Sequence, residues 1–130
     1  MKRIEVAVGI VFNSDNDVLI GQRLVKDAYY QKWEFPGGKL EDKETAQQAL
    51  VRELQEELGI VVEKCELLME HKHDYPDRQV TLFVYTIAEY SGNALGKEGQ
   101  ALRWVNLNEL SNLNFLQGNQ SIIEKLLASR

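Results

Sequence analysis

The sequence predicts one α/β domain over residues 1–130, with a mixed β-sheet between two helices. Three observations carry that prediction. Two segments far apart in the chain, Thr45–Leu58 and Gly118–Ala128, place apolar residues at helical spacing. The segments before and between them are apolar runs of strand length, separated by turn-forming residues. The chain has 130 residues, 44% of them hydrophobic, which suits one core rather than two.

Taken in order, Val6–Phe12 is a dense apolar run that ends at the turn cluster 13–17. Val18–Arg23 follows as a second strand, and the pair reads as a hairpin. Trp33–Gly37 is a short extended piece, stopped by Pro36 and two glycines. Thr45–Leu58 is the strongest helix. Thr45 and Gln48 have capping-box spacing, Gly59 suits a C-terminal cap, and Leu50, Leu54 and Leu58 should face the core. Val61–His73 and Gln79–Tyr90 read as strands joined by a turn at 74–78 that contains Pro76. A polar, glycine-bearing loop covers 91–100, and Leu102–Val105 is a short strand. The closing helix, Gly118–Ala128, is amphipathic, with Ile122, Ile123, Leu126 and Leu127 on its buried side. One helix is expected on each face of the sheet.

Composition narrows the function classes. The net charge is −5 with both signs interspersed, which disfavours a nucleic-acid polymer as partner. A small phosphorylated substrate stays compatible with this acidity if a divalent cation mediates the contact. No run reaches the roughly 18 apolar residues of a membrane span. The first twelve residues imitate a short signal peptide, but Glu5 interrupts them and they read better as a strand. A single cysteine, Cys65, suits a reducing compartment, and a cytoplasmic monomer is expected because no apolar stripe is left unexplained.

The end of the first helix breaks a local rule. Glu53, Glu56 and Glu57 are helix neighbours, and each like-charge pair costs about 0.2–0.5 kcal/mol. Glu56 and Glu57 also lie in the last turn, where the helix dipole disfavours an anion by about 0.3–1 kcal/mol. Arg52 and Lys64 are the nearby cations and do not obviously cancel the repulsion. A solvated acidic face is one reading of such a run. However, the three glutamates flank the leucine stripe, and a glycine-rich loop precedes the helix. Carboxylates clustered at a core edge make a hard-cation site suited to Mg²⁺ or Mn²⁺.

From Gly38 the chain runs Gly38, five residues, Glu44, seven residues, Arg52-Glu53-Leu54, one residue, Glu56-Glu57, one residue, then Gly59-Ile60. This resembles the Nudix box at every specified position. Seven fixed identities would coincide at a given start about once in 10⁹ if residue types were equally frequent, so chance is a poor explanation. Segments outside the box, Val6–Ile10, Glu34–Lys39, Tyr75–Arg78, Gly96–Gln100 and Asn119, are similar to the family members that hydrolyse 8-oxo-dGTP.

The resemblance implies a Nudix-type α/β/α sandwich and a Mg²⁺ cofactor, with Mn²⁺ able to substitute. Glu53, Glu56 and Glu57 would hold the metal, with the Gly37 carbonyl as a further ligand. Arg52 would hold one of those carboxylates in place, Glu44 would orient the loop–helix junction, and Glu98 would act as a further ligand or as the base. The implied reaction is attack of water on the β-phosphorus of a nucleoside triphosphate, releasing the monophosphate and pyrophosphate. With 8-oxo-dGTP this would clear a mutagenic nucleotide from the pool. Glu53 is expected as the general base because its neighbours should raise its proton affinity, with Glu98 the competitor. As for Glu98, an ordinary loop acid is the plainer reading.

For the substrate, the resemblance places Arg23 near the phosphates and Arg78 at the border of the base. Glu34, Phe35, Pro36, Gly37 and Gly38 would line the nucleoside site. Oxidation at C8 turns guanine N7 from an acceptor into an N–H donor. An Asn119 amide could accept from N7–H while donating to O6, although Asn119 also suits an N-cap for the last helix. The segment 26–31 departs from the family pattern, with Ala28 where a polar ring is expected near the sugar. Two other readings stand beside this one. One is a Nudix pyrophosphohydrolase of other nucleoside diphosphate derivatives, such as unmodified triphosphates or ADP-ribose. The other is a non-catalytic nucleotide-sensing module, although such modules typically lose a box glutamate and none is missing here.

Overall fold

The computed structural model describes residues 2–23, 32–115 and 117–129, so the divergent segment 26–31 with Ala28 lies outside the described residues. Among the described residues, seven strands and two α-helices follow in order: β1 (Lys2–Val11), β2 (Val18–Gln22), β3 (Trp33–Glu34), β4 (Gly37–Lys39), α1 (Ala46–Leu58), β5 (Val61–Tyr75), β6 (Arg78–Ser91), β7 (Leu102–Val105) and α2 (Gln120–Ala128). Short 3₁₀ turns at Leu107–Asn112 and Gln117–Asn119 lead into α2.

The main sheet has the order β4-β1-β6-β5 and is mixed: β1 and β6 run parallel, while β4 and β5 pair antiparallel at its two ends. A second, three-stranded antiparallel sheet has the order β3-β2-β7. The expected β1–β2 hairpin is therefore corrected. Only a single bridge, Phe12 with Val18, joins the two, and β2 turns away to pair with β3 and β7. Local alternation marks a strand but carries no information about its partner, so this error is invisible within the segment. β5 and β6 also run longer than expected, leaving only Pro76 and Asp77 between them.

Alternation along β1 divides the core into two layers, as a strand's period of two requires. Ala7 and Val11 join Leu19, Ile87 and the α1 residues Leu50, Leu54 and Leu58 in one buried cluster. Val8 and Ile10 join Val18, Ile20, Val84, Phe115 and the α2 residues Ile122, Ile123 and Leu126 in the other. The helices thus cover opposite faces, which is the expected sandwich. Leu127 is half-buried and packs against the second cluster.

Helix α1 starts and stops as its sequence dictates. The Thr45 side chain accepts from the Gln48 N–H, and the Gln48 side chain accepts from the Thr45 N–H, completing the capping box. Gly59 ends the helix in the left-handed region at φ 73°, a conformation that costs glycine little. Its last turn contains no basic residue.

Candidate active site

The acidic end of α1 meets the loop that precedes it. β4 lies along β1, with Ala7 opposite Gly38 and Val8 opposite Gly37. That register places the Gly37 N–H where it donates to Glu57 Oε2 at 3.1 Å. A Cβ at position 38 would sit 2.3 Å from the Glu53 carboxyl carbon, so any side chain there would push the Glu53 carboxylate out of place. Gly38 thus leaves the Glu53 carboxylate its position beside the loop.

Arg52 organises the carboxylates around it. Its Nε and Nη2 donate to the two oxygens of Glu44 at 2.8 and 2.9 Å, a bidentate pair. Nη2 also donates to the Lys39 carbonyl at 3.2 Å, and Nη1 to Glu53 Oε1 at 2.8 Å. Glu56 Oε2 lies 3.4 Å from Nη1, but its side chain is 58% exposed against 19% for Glu53. Glu56 therefore sits at the solvent edge of the cluster. Lys64 pairs instead with Glu89 on the exposed surface at 3.4 Å and relieves none of the repulsion.

Electrostatics separates the acids. The Arg52 guanidinium, helped by the Glu41 N–H, holds Glu44 down to about 2. Burial pushes Glu57 up to about 8, with the Glu53 charge adding to it and the Gly37 N–H opposing. Glu53 is raised as well. Burial is the larger cause there, opposed by Arg52, while the Glu56 and Glu98 charges add less. The expectation that neighbouring charges drive the Glu53 shift is corrected to this extent: removal from water outweighs them.

A stability prediction follows from Glu57. In the metal-free protein its carboxyl prefers the neutral form when folded, so folding takes up a proton between the unfolded value near 4.5 and the folded value of about 8. Its contribution is therefore fully present below about 4.5 and is lost as pH rises through about 8, at up to roughly 1.4 kcal/mol per pH unit. Thermal unfolding with a chelator present should show this fall across the window. Glu57→Gln should flatten the profile; a profile identical to that of the parent would contradict the assignment.

A cavity of about 160 Å³ opens beside the acidic turn, lined among others by Arg23, Glu34, Phe35, Glu57, Glu98 and Gln100. Pro36 lies on its wall, and the Pro36 carbonyl accepts from the Gly9 N–H at 2.8 Å. Arg23 Nη1 is 3.8 Å from Glu34 Oε2. Phe35 is buried and packs on Phe115 with ring centroids 5.2 Å apart, so it is both core and cavity wall. Asn119 is not itself on the cavity wall; its Oδ1 accepts from the N–H of Phe35, a wall residue, at 3.4 Å. Asn119 stands at the N-cap position of α2, yet its side chain makes no capping bond.

Arg78 is not on the cavity wall. Its guanidinium lies over the Tyr75 ring, 4.9 Å from the centroid. A Cβ built on Gly118 would fall 3.8 Å from the Tyr75 hydroxyl, which puts the Arg78–Tyr75 pair near the Asn119 end. The sequence reading missed Gln22 and Gln100, which also line the cavity. Gln100 ends the segment Gly96–Gln100 singled out by its family resemblance, but nothing in that segment distinguished it as a cavity residue.

The oxygen donors suit a hard cation. Among the described residues no three His, Cys, Asp or Glu side chains converge into a ready-made cage. That is compatible with Mg²⁺, which is commonly held by one or two carboxylates and completes its shell with water and substrate phosphate oxygens. Glu53 and Glu57 are the less exposed carboxylates of the cluster, whereas Glu56 is turned to solvent and to Arg52.

The NUDIX domain model matches residues 7–125. The chain belongs to the Nudix family. Nudix hydrolases generally need a divalent metal ion. An Escherichia coli relative named 8-oxo-dGTP diphosphatase is 40% identical over 126 residues, covering 97% of this chain and 98% of that protein. An Escherichia coli relative named CTP pyrophosphohydrolase is 34% identical over 130 residues, covering 100% and 96%. A solved structure from a study of MutT from Aliivibrio salmonicida and Vibrio cholerae has a TM-score of 0.86 and 35% identity, covering 99% of this chain and all of that one. Among the Nudix box residues, Arg52 thus ties Glu44 to Glu53 and Glu56, Glu53 lies against Gly38, and Glu57 is held by the adjoining Gly37 N–H. No described helix is long and apolar enough to cross a membrane.

Proposed function

We propose that this Nudix enzyme hydrolyses 8-oxo-dGTP to 8-oxo-dGMP and pyrophosphate with Mg²⁺. The observation that carries the substrate is Asn119. Its amide is not spent on capping α2 but turned to the backbone of Phe35, a residue of the cavity wall. Oδ1 has two lone pairs, so the long Phe35 bond leaves capacity for a second donor such as the N7–H of an oxidised guanine. The name of the Escherichia coli diphosphatase supports the same reading.

In this reading Glu53 takes the proton of the attacking water as the new bond to the β-phosphorus forms. The bridging oxygen leaves with the nucleoside monophosphate, and the other two phosphates depart as pyrophosphate. Burial of Glu53 favours a base with proton affinity above that of a free carboxylate, as general-base work near neutral pH requires. Arg52 fixes the Glu53 rotamer and is itself anchored by Glu44. Mg²⁺, held by Glu53, Glu57 and the Gly37 carbonyl, with Glu56 and Glu98 at the margin, would neutralise phosphate charge and make water more acidic. Arg23 faces the phosphates, while Phe35 and Arg78 border the base.

The CTP pyrophosphohydrolase relative favours a second reading, in which the base is an unmodified pyrimidine. Comparing kcat/KM for 8-oxo-dGTP, 8-oxo-GTP, dGTP, CTP and ADP-ribose decides between them. The 8-oxo-dGTP value should exceed that for dGTP by at least about 100-fold, the scale a mispaired buried hydrogen bond can supply. CTP as the best substrate would overturn the assignment of the base.

A further inference from the structure

The last turn of α1 leaves backbone carbonyls without partners inside the helix. The loop at 92–100 supplies them. The Leu95 N–H donates to the Leu58 carbonyl at 3.0 Å, and the Lys97 N–H to the Glu57 carbonyl at 3.1 Å. Gln100 reaches the same place: its Nε2 donates to the Glu57 carbonyl at 3.3 Å. Its Oε1 accepts from the Glu98 N–H at 3.0 Å. One amide therefore joins the turn carrying Glu57 to the backbone of Glu98, and all three residues line the same cavity.

Packing does not hold Glu98, because it is exposed. Its position depends on its backbone. The loop's far end is tied down, since the Ala101 carbonyl accepts from the Gln22 N–H at 2.9 Å. Between these anchors the Glu98 amide is held by Gln100. Both halves of the side-chain amide are used, the donor on Glu57 and the acceptor on Glu98. Methionine offers the same length with neither, and a carboxylate offers only the acceptor. The Glu98 charge is felt at both Glu53 and Glu57, so its distance from them matters to the site.

We infer that Gln100 is a positioning residue that presents Glu98 to the acidic end of α1 by clasping its backbone to the last turn of that helix. The inference rests on the reading of Glu98 as a participant in hydrolysis. It also explains why a polar residue closes this loop.

The test compares Gln100→Met, Glu98→Gln and the double variant, with kcat and KM measured on 8-oxo-dGTP at saturating Mg²⁺. Amide exchange at Glu98 is followed by NMR in the metal-free protein. Gln100→Met should lower kcat about 5–10-fold, the scale of one lost hydrogen bond, with KM within about twofold. In the Glu98→Gln background its cost should shrink below about twofold, because the two residues act as one unit. The Glu98 amide should exchange about tenfold faster while the Leu95 and Lys97 amides keep their protection. An equal kcat cost in both backgrounds, or unchanged exchange at Glu98, would overturn the inference. Full kcat in Glu98→Gln would instead overturn the role given to Glu98, and the exchange result alone would then decide whether Gln100 holds it.

Discussion

Replacing Glu53 with Gln is expected to lower kcat by about 10³-fold while the protein stays folded, within the range a positioned general base supplies. The side chain sits where every contact is directional: Arg52 at 2.8 Å on one oxygen and the Gly38 backbone against its face. The amide keeps the shape and can still accept from Arg52, but it cannot take a proton and binds a cation poorly. Stability should not suffer. The raised proton affinity of Glu53 means that its surroundings already favour an uncharged group. Circular dichroism and a melting curve check the fold, and single-turnover kinetics check the chemistry. A Glu53→Gln protein with parental turnover would remove Glu53 from both the metal site and the proton transfer.

Asn119→Ala tests the choice of substrate. It should lower kcat/KM for 8-oxo-dGTP by about 100-fold and for dGTP by less than about fivefold, because only the oxidised base uses both halves of the amide. Little folding energy is at risk, since the Asn119 side chain makes no capping bond to α2 and its contact with the Phe35 N–H is long. A selectivity ratio unchanged from the parent would reduce Asn119 to a structural residue of the α2 entrance. The two variants fail differently. Glu53→Gln should depress every substrate alike, whereas Asn119→Ala should reorder them.

Some of this was legible in the chain itself. α1 could be read almost to the residue, because a capping box, a leucine stripe and a terminal glycine are all local signals. The spacing of Glu53, Glu56 and Glu57 on one helix end follows from the same periodicity. Most strands were legible for a similar reason, but β4 was not: the extended piece expected to stop at Gly37 is β3 alone, and a separate strand, Gly37–Lys39, starts there. Strand partners were not legible, as β2 shows: its extent is nearly as read, yet it pairs with β3 and β7 instead of β1. Asn119 was open between cap and base reader. The fold resolved its side chain away from the cap through a contact 84 residues distant in sequence.

The sequence alone determined the reaction family, because the Nudix box is a pattern of residue types at helical spacing and needs no tertiary contact to be recognised. It also determined that the helix end repels itself. Only the tertiary structure decided how that repulsion is distributed. Arg52 reaches eight residues back to Glu44, Glu56 swings to solvent, and Glu57 is half-buried against Gly37. The physical reason is that charge, burial and hydrogen bonding act through space. A carboxylate's proton affinity depends on what the folded chain brings within a few ångströms, which its own segment does not encode.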